Sequence, residues 1–172
     1  VGFELIYTQT ITLFNRHIDN RKPPKSIYGI DEDNIIWVPT VIRDVHLVMN
    51  RAKIISMYGE NCTDNVLLHI MYERNGADAV IAGKTYMKPK IYAETSVDGY
   101  GFEEYITFAM GDNFDFFMEG EWEELGNTNV IISDSDYEPG FYNYMNHKYD
   151  NVFAITGCTK YSLIPHFEIT GR

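Results

Sequence analysis

Asp115-Phe116-Phe117-Met118-Glu119-Gly120-Glu121-Trp122, Asn151-Val152-Phe153-Ala154-Ile155-Thr156-Gly157 and Ser162-Leu163-Ile164-Pro165-His166-Phe167-Glu168-Ile169-Thr170 are the stretches whose reading decides the fold. The last two have strand-like length and apolar content, and predict the arms of a hairpin turning near Cys158 to Tyr161. The first predicts a strand beside them. None of the three carries a nucleophile with its base, a metal box or a phosphate loop, so together they read as architecture.

Upstream, Phe3 to Ile18 alternates, with Ile11, Leu13 and, less cleanly, Asn15 on one face and Thr10, Thr12 and Phe14 on the other, and predicts a long strand. Asn20 to Asn34 contains Pro23, Pro24 and Gly29, and predicts a loop or exposed arm because Pro-Pro cannot join a sheet ladder. Strand character resumes over Ile35 to Asn50, with Pro39 marking an edge or a bulge. Arg51 to Tyr58 fits two helical turns stopped by Gly59. Val66 to Tyr72 predicts a strand, Asn75-Gly76 a turn, and Ile81 to Tyr92 a strand broken at Pro89. Glu94 to Gly101 reads as loop. Glu104 to Met110 and Phe114 to Trp122 predict a hairpin across Gly111-Asp112-Asn113. Asp136-Tyr137-Glu138-Pro139 reads as a helix start, followed by a helix to Tyr149 with Phe141, Tyr144, Met145 and Tyr149 on one stripe.

Seven or eight strands joined by turns, with one or two short helices and long loops, predict a mainly β fold, an antiparallel barrel or sandwich. The chain of 172 residues is expected to form a single domain with insertions or loops near 19–34, 51–65 and 123–149. An apolar share of 45% supports a core, and 13 Tyr and 10 Phe suit strands and contact surfaces. The net charge of -11 disfavours a general nucleic-acid grip, which needs cations to neutralise phosphates. It is compatible with at most passive contact with passing DNA. Two distant cysteines, Cys62 and Cys158, predict free thiols in a reduced compartment. The start of the chain has no charged region leading into an apolar run, and no stretch approaches the roughly 20 apolar residues of a membrane span. Cytoplasmic synthesis without membrane contact is therefore expected.

Asp134, Asp136 and Glu138 begin like a calcium loop, but its glycine and its twelfth-position Glu are missing, and a helix cap explains the same residues. Asp31-Glu32-Asp33 reads as a solvated loop tip. Glu119 and Glu121 beside Trp122 suggest a carboxylate-dependent hydrolase as a remote alternative. Strand alternation instead gives them a solvent-facing side, with Met118, Gly120 and Trp122 inward. His17, His46, His69, His147 and His166 share no short metal spacing, so no metal ligand is assigned, although distant strands could assemble a site. Cys158 and His166 lack an orienting partner for nucleophilic chemistry. Arg16, Arg21, Lys22 and Lys25 form one positive patch around the Pro-Pro arm.

The order of the segments resembles a known family. Thr10-Ile11-Thr12-Leu13-Phe14-Asn15, then Trp37-Val38-Pro39-Thr40-Val41-Ile42 running into Val45-His46-Leu47, then Phe114 to Trp122, and finally Ile164-Pro165-His166-Phe167-Glu168-Ile169, look like the small head–tail proteins of long-tailed bacteriophages and prophages. They are most similar to the head-closure (stopper), neck or tail-completion type. That resemblance implies a virion structural protein made in the bacterial host cytoplasm, with no catalysis and no cofactor. It also implies a homo-oligomeric ring contacting adaptor, portal or tail components. The residues expected to make contacts are Arg21, Lys22, Lys25, Tyr28 and Asp31 in the arm, and the exposed aromatics Tyr142, Tyr144 and Tyr149. A ligand- or host-protein-binding β-sandwich is the alternative, and a Cys62–Cys158 disulfide is the feature that would mark it.

Overall fold

A computed structural model describes residues 6–19, 21, 34–95, 102–125 and 131–172. Its strands are β1 (Gln9–Ile18), β2 (Ile35–Val48), β3 (Val66–Met71), β4 (Glu73–Asn75), β5 (Asp78–Ile81), β6 (Lys84–Tyr86), β7 (Tyr105–Ile106), β8 (Phe116–Glu119), β9 (Ile132–Ser133), β10 (Val152–Tyr161) and β11 (His166–Gly171). Its helices are α1 (Arg51–Tyr58), α2 (Pro89–Glu94) and α3 (Phe141–Lys148).

The expected mainly β, antiparallel architecture is present, and it is a barrel. Pairing runs β1-β8-β10-β11-β3-β2, and β2 pairs back onto β1, so six antiparallel strands close on themselves while β9 extends from β2. Closure needs local bending, which bulges supply. The β1–β2 register steps from Gln9↔Val45 to Ile11↔Ile42, an extra residue on β2 where Asp44 has φ 58. A second extra residue falls at Thr156, between the pairs Ile155↔Gly171 and Gly157↔Thr170. The bulge of β2 thus lies at Asp44 rather than at Pro39. Pro39 faces Phe14 of β1 and lies past the last residue of β2 that β9 pairs, Trp37. Its missing N–H is tolerated on that edge.

Two cores share the barrel wall. Ile11, Leu13, Ile42, Val45, Leu47, Val66, Leu68, Ile70, Phe117, Ile155, Phe167 and Ile169 pack together inside. Phe14, Trp37, Phe116, Met118, Trp122, Ile132 and Val152 pack outside it with Phe141 and Met145 of α3. Successive side chains of a strand point to opposite faces. Phe116-Phe117-Met118 therefore feeds both cores, and all three are buried. This corrects the expectation that Met118 and Trp122 line the interior: they lie under α3, and Phe117 is the residue inside.

A small second sheet, β4-β5-β6-β7, adds Ala79, Ile81 and Ile106 to the inner core. Lys84 ties it to the barrel through a 2.7 Å hydrogen bond to the Thr40 hydroxyl. The Asn75-Gly76 turn forms as predicted, with Gly76 at φ 62.

Four sequence expectations fail locally. The segment around Pro89 is not strand: Pro89 opens α2, where a missing amide costs nothing. The predicted hairpin across Gly111 does not form, because β7 pairs parallel with β6 while β8 pairs with β1 and β10. The final turn lies beyond Tyr161 rather than at Cys158 to Tyr161, since β10 continues through both. Helix α3 begins at Phe141 rather than Pro139, after Gly140 at φ 122.

Candidate functional site

The hairpin of β10 and β11 carries the most exposed large apolar residue among the described residues, Leu163. Leu163 at its turn is 96% exposed and Ile164 43%. Tyr161 and Met71 stand beside them, also exposed, because Tyr161 pairs with His166 and His166 with Met71. The turn is fixed from behind: Tyr72 donates its backbone N–H to the Pro165 carbonyl at 3.3 Å and its hydroxyl to the Tyr161 carbonyl at 2.8 Å. An ordered backbone thus presents an apolar cluster outward.

Just inside this apex, the outer barrel face carries a row of titratable groups. His46 of β2, His69 of β3 and Glu168 of β11 stand in register, and His166 is two residues before Glu168 on the same face. Ligand-capable atoms of His69, His166 and Glu168 all lie within 4.8 Å of one another. Ring centroids are 5.8 Å apart for His46 and His69, and 5.9 Å for His69 and His166. Nδ1 of His166 donates to the Ile164 carbonyl at 2.8 Å, and the Tyr161 ring stacks on the imidazole at 4.7 Å. Tyr58, at the end of α1, donates its hydroxyl to Oε1 of Glu168. Burial lowers the pKa of His69, with His46 and His166 adding to the effect and Glu168 opposing it.

A second polar cluster lies near α2. Asp115 is fully buried; it accepts from Arg16 N at 2.8 Å, Ala109 N at 2.8 Å and Asn15 Nδ2 at 3.0 Å. Burial nevertheless pushes its carboxyl up to about 7. Asp115 lines a pocket of about 510 Å³ together with Arg16, His17, Tyr92 and Thr107. The hydroxyls of Tyr92 and Thr107 and Oδ1 of Asn15 are buried without a protein hydrogen-bond partner.

The chain matches one family over residues 6–172, DUF6751, a family of unknown function. The chain belongs to DUF6751. No curated protein and no solved structure matches it.

The residues expected from this DUF6751 sequence to make contacts fall in different places. Lys22, Lys25, Tyr28 and Asp31 lie outside the described residues. Arg21 forms a two-point ion pair with Asp19, Nε to Oδ1 at 2.9 Å and Nη2 to Oδ2 at 3.0 Å. Tyr142, Tyr144 and Tyr149 are half-buried rather than exposed, and pack against the outer core. Tyr142 meets Phe114 at 4.8 Å and Phe116 at 5.0 Å edge-on, while the Tyr144 hydroxyl donates to Glu124 at 3.1 Å. Partly buried against that cluster, they help to seal a core.

The other candidates resolve by geometry. Asp134 caps α3: its Oδ1 accepts from Phe141 N at 2.9 Å and from Trp37 Nε1 at 2.8 Å. Glu121 pairs with Arg43 at 3.1 Å on the surface, and Glu119 accepts from Asn151 Nδ2 at 2.6 Å. Cys62 and Cys158 are free thiols, and burial raises the Cys158 thiol to about 12. The histidine row was missed because its members are far apart in sequence. Its one linear signal is His166-x-Glu168, two donors on the same face of a predicted strand.

Proposed function

We propose that the chain is a non-enzymatic structural subunit of a phage virion, a head–tail connector or neck component that forms a ring with copies of itself and meets adaptor, portal or tail proteins. The observation that carries the reading is the hairpin apex, where Leu163 and Ile164 extend from a fixed turn with Tyr161 and Met71 beside them. Covering such a cluster removes apolar area from water, and little ordering entropy is lost because the backbone is already held. The six barrel strands pair in a closed circuit, and the apex side chains offer the contact surface. The charge of -11 fits a wall that lets DNA pass without holding it. The likeness of the opening and closing strand sequences to phage neck proteins supports the assignment to a virion.

The test is light scattering of the purified chain over a wide concentration range, alone and with a portal–adaptor complex. The wild type is expected to assemble into a closed oligomer or to join that complex. Leu163→Asp with Ile164→Asp is expected to stay monomeric at an unchanged Tm. A wild type that remains monomeric and ignores the portal–adaptor complex overturns the reading.

A further inference from the structure

We infer that His69, His166 and Glu168 form a binding site for a divalent first-row transition metal on the outer barrel face, with zinc the best-matched ion. The inference goes beyond the assembly reading and stands without it. Two imidazole nitrogens and one carboxylate oxygen are a donor set that zinc accepts, whereas calcium and magnesium want shells of oxygens.

The three donors come from adjacent strands whose backbones are fixed by the β3–β11 ladder. Their atoms lie within 4.8 Å of one another. Tetrahedral zinc at about 2.1 Å from each ligand needs donors about 3.4 Å apart, so side-chain rotation suffices. No strand has to move.

The groups behind the donors are those a ligating shell uses. A metal-binding histidine commonly donates its second ring nitrogen to a carbonyl, which fixes the tautomer and aims the free lone pair. His166 does this, with Nδ1 to the Ile164 carbonyl at 2.8 Å leaving Nε2 as the acceptor. Tyr161 stacked at an interplanar angle of 10° fixes the plane of that ring. The Tyr58 hydroxyl occupies Oε1 of Glu168, which leaves Oε2 to coordinate. His46 flanks His69 and likewise donates Nδ1 to a carbonyl, that of Ile6 at 3.1 Å, but its ligand atoms stand outside the triangle of His69, His166 and Glu168. Three protein ligands leave one tetrahedral position open to a fourth donor.

The experiment is zinc titration of the untagged full chain by calorimetry, paired with cobalt(II) substitution read by visible absorption. One equivalent of zinc and a tetrahedral cobalt spectrum are expected. His69→Ala and His166→Ala should each weaken zinc binding roughly a hundredfold or more, and Tyr58→Phe, which removes only support for Glu168, roughly tenfold. Circular dichroism of the metal-free variants checks folding, and Glu168→Gln, nearly isosteric, serves if an alanine variant is unstable. His147→Ala and Cys62→Ser are expected to bind as the wild type does. A wild type that takes up no zinc overturns the inference. So do ligand variants that bind undiminished, or binding that is lost with Cys62 or His147.

Discussion

Replacing Asp115 by Asn should remove a pH dependence of stability that the wild type carries. In the folded chain Asp115 is fully buried, and desolvation raises its carboxyl to about 7 against the pull of the bonds from Arg16, Ala109 and Asn15 and of the Arg16 charge. In the unfolded chain an aspartate titrates near about 3.9. Between those values the native state keeps a proton that the unfolded state has lost. Stability from this group is therefore complete below about pH 4 and falls as pH rises to about 7. A separation of about three units corresponds to about 4 kcal/mol. The neighbouring Arg16, His17 and Tyr92 are unchanged in the variant, so the difference between the two proteins isolates Asp115. Urea unfolding of wild type and Asp115→Asn at intervals between about pH 4 and 8 gives that difference. The stability of the wild type relative to the variant should decline by about 4 kcal/mol across the series. A difference that rises with pH refutes the reasoning, because it means that the three donors outweigh desolvation and hold the group as a carboxylate. A flat difference refutes it equally.

Two further substitutions test the frame around the barrel. Asp134→Ala leaves the Trp37 indole N–H and the Phe141 amide without their acceptor and should cost about 2–3 kcal/mol in chemical unfolding. A loss below about 0.5 kcal/mol would mean that Asp134 is not the cap of α3. Gly171→Ala puts a methyl group 2.8 Å from Val66 Cγ1 and 3.1 Å from the Ala154 carbonyl. It should lower stability by about 1–3 kcal/mol, and an unchanged thermal midpoint would show that β3, β10 and β11 pack less closely than described.

The alternation of Ile11 and Leu13 against Thr12 and Phe14, and the apolar runs of Val66 to Tyr72 and Val152 to Ile155, were enough to predict strands, because period-two patterning is local. The Asn75-Gly76 turn was legible for the same reason. Around Pro89 the same reasoning gave strand, since Ile81 to Tyr92 is rich in strand formers. The chain instead turns at Ala82-Gly83 and again at Pro89, and Tyr92 is buried as part of a helix. The Gly111 turn misled in a different way: a turn was present, but both flanking segments found better partners elsewhere. Asp115 N bonds the Ala109 carbonyl at 3.0 Å across that turn without any ladder beyond it. Tyr142, Tyr144 and Tyr149 read as surface residues because the pattern of α3 does not disclose how wide a groove it fills.

Sequence by itself determined the β-rich class, most strand positions and the aromatic stripe of α3, all of which follow from the spacing of apolar residues along the chain. Tertiary structure decided the closure of six strands into a barrel, since that rests on β1 pairing with both β2 and β8. It also decided that Phe116 and Phe117 serve different cores. The same holds for the candidate metal site. His69 and His166 are near each other only because β3 and β11 pair with Met71 opposite His166 and His69 opposite Glu168. Strand register is a non-local property, and a shift of one residue would turn His69 into the barrel and disperse the three donors.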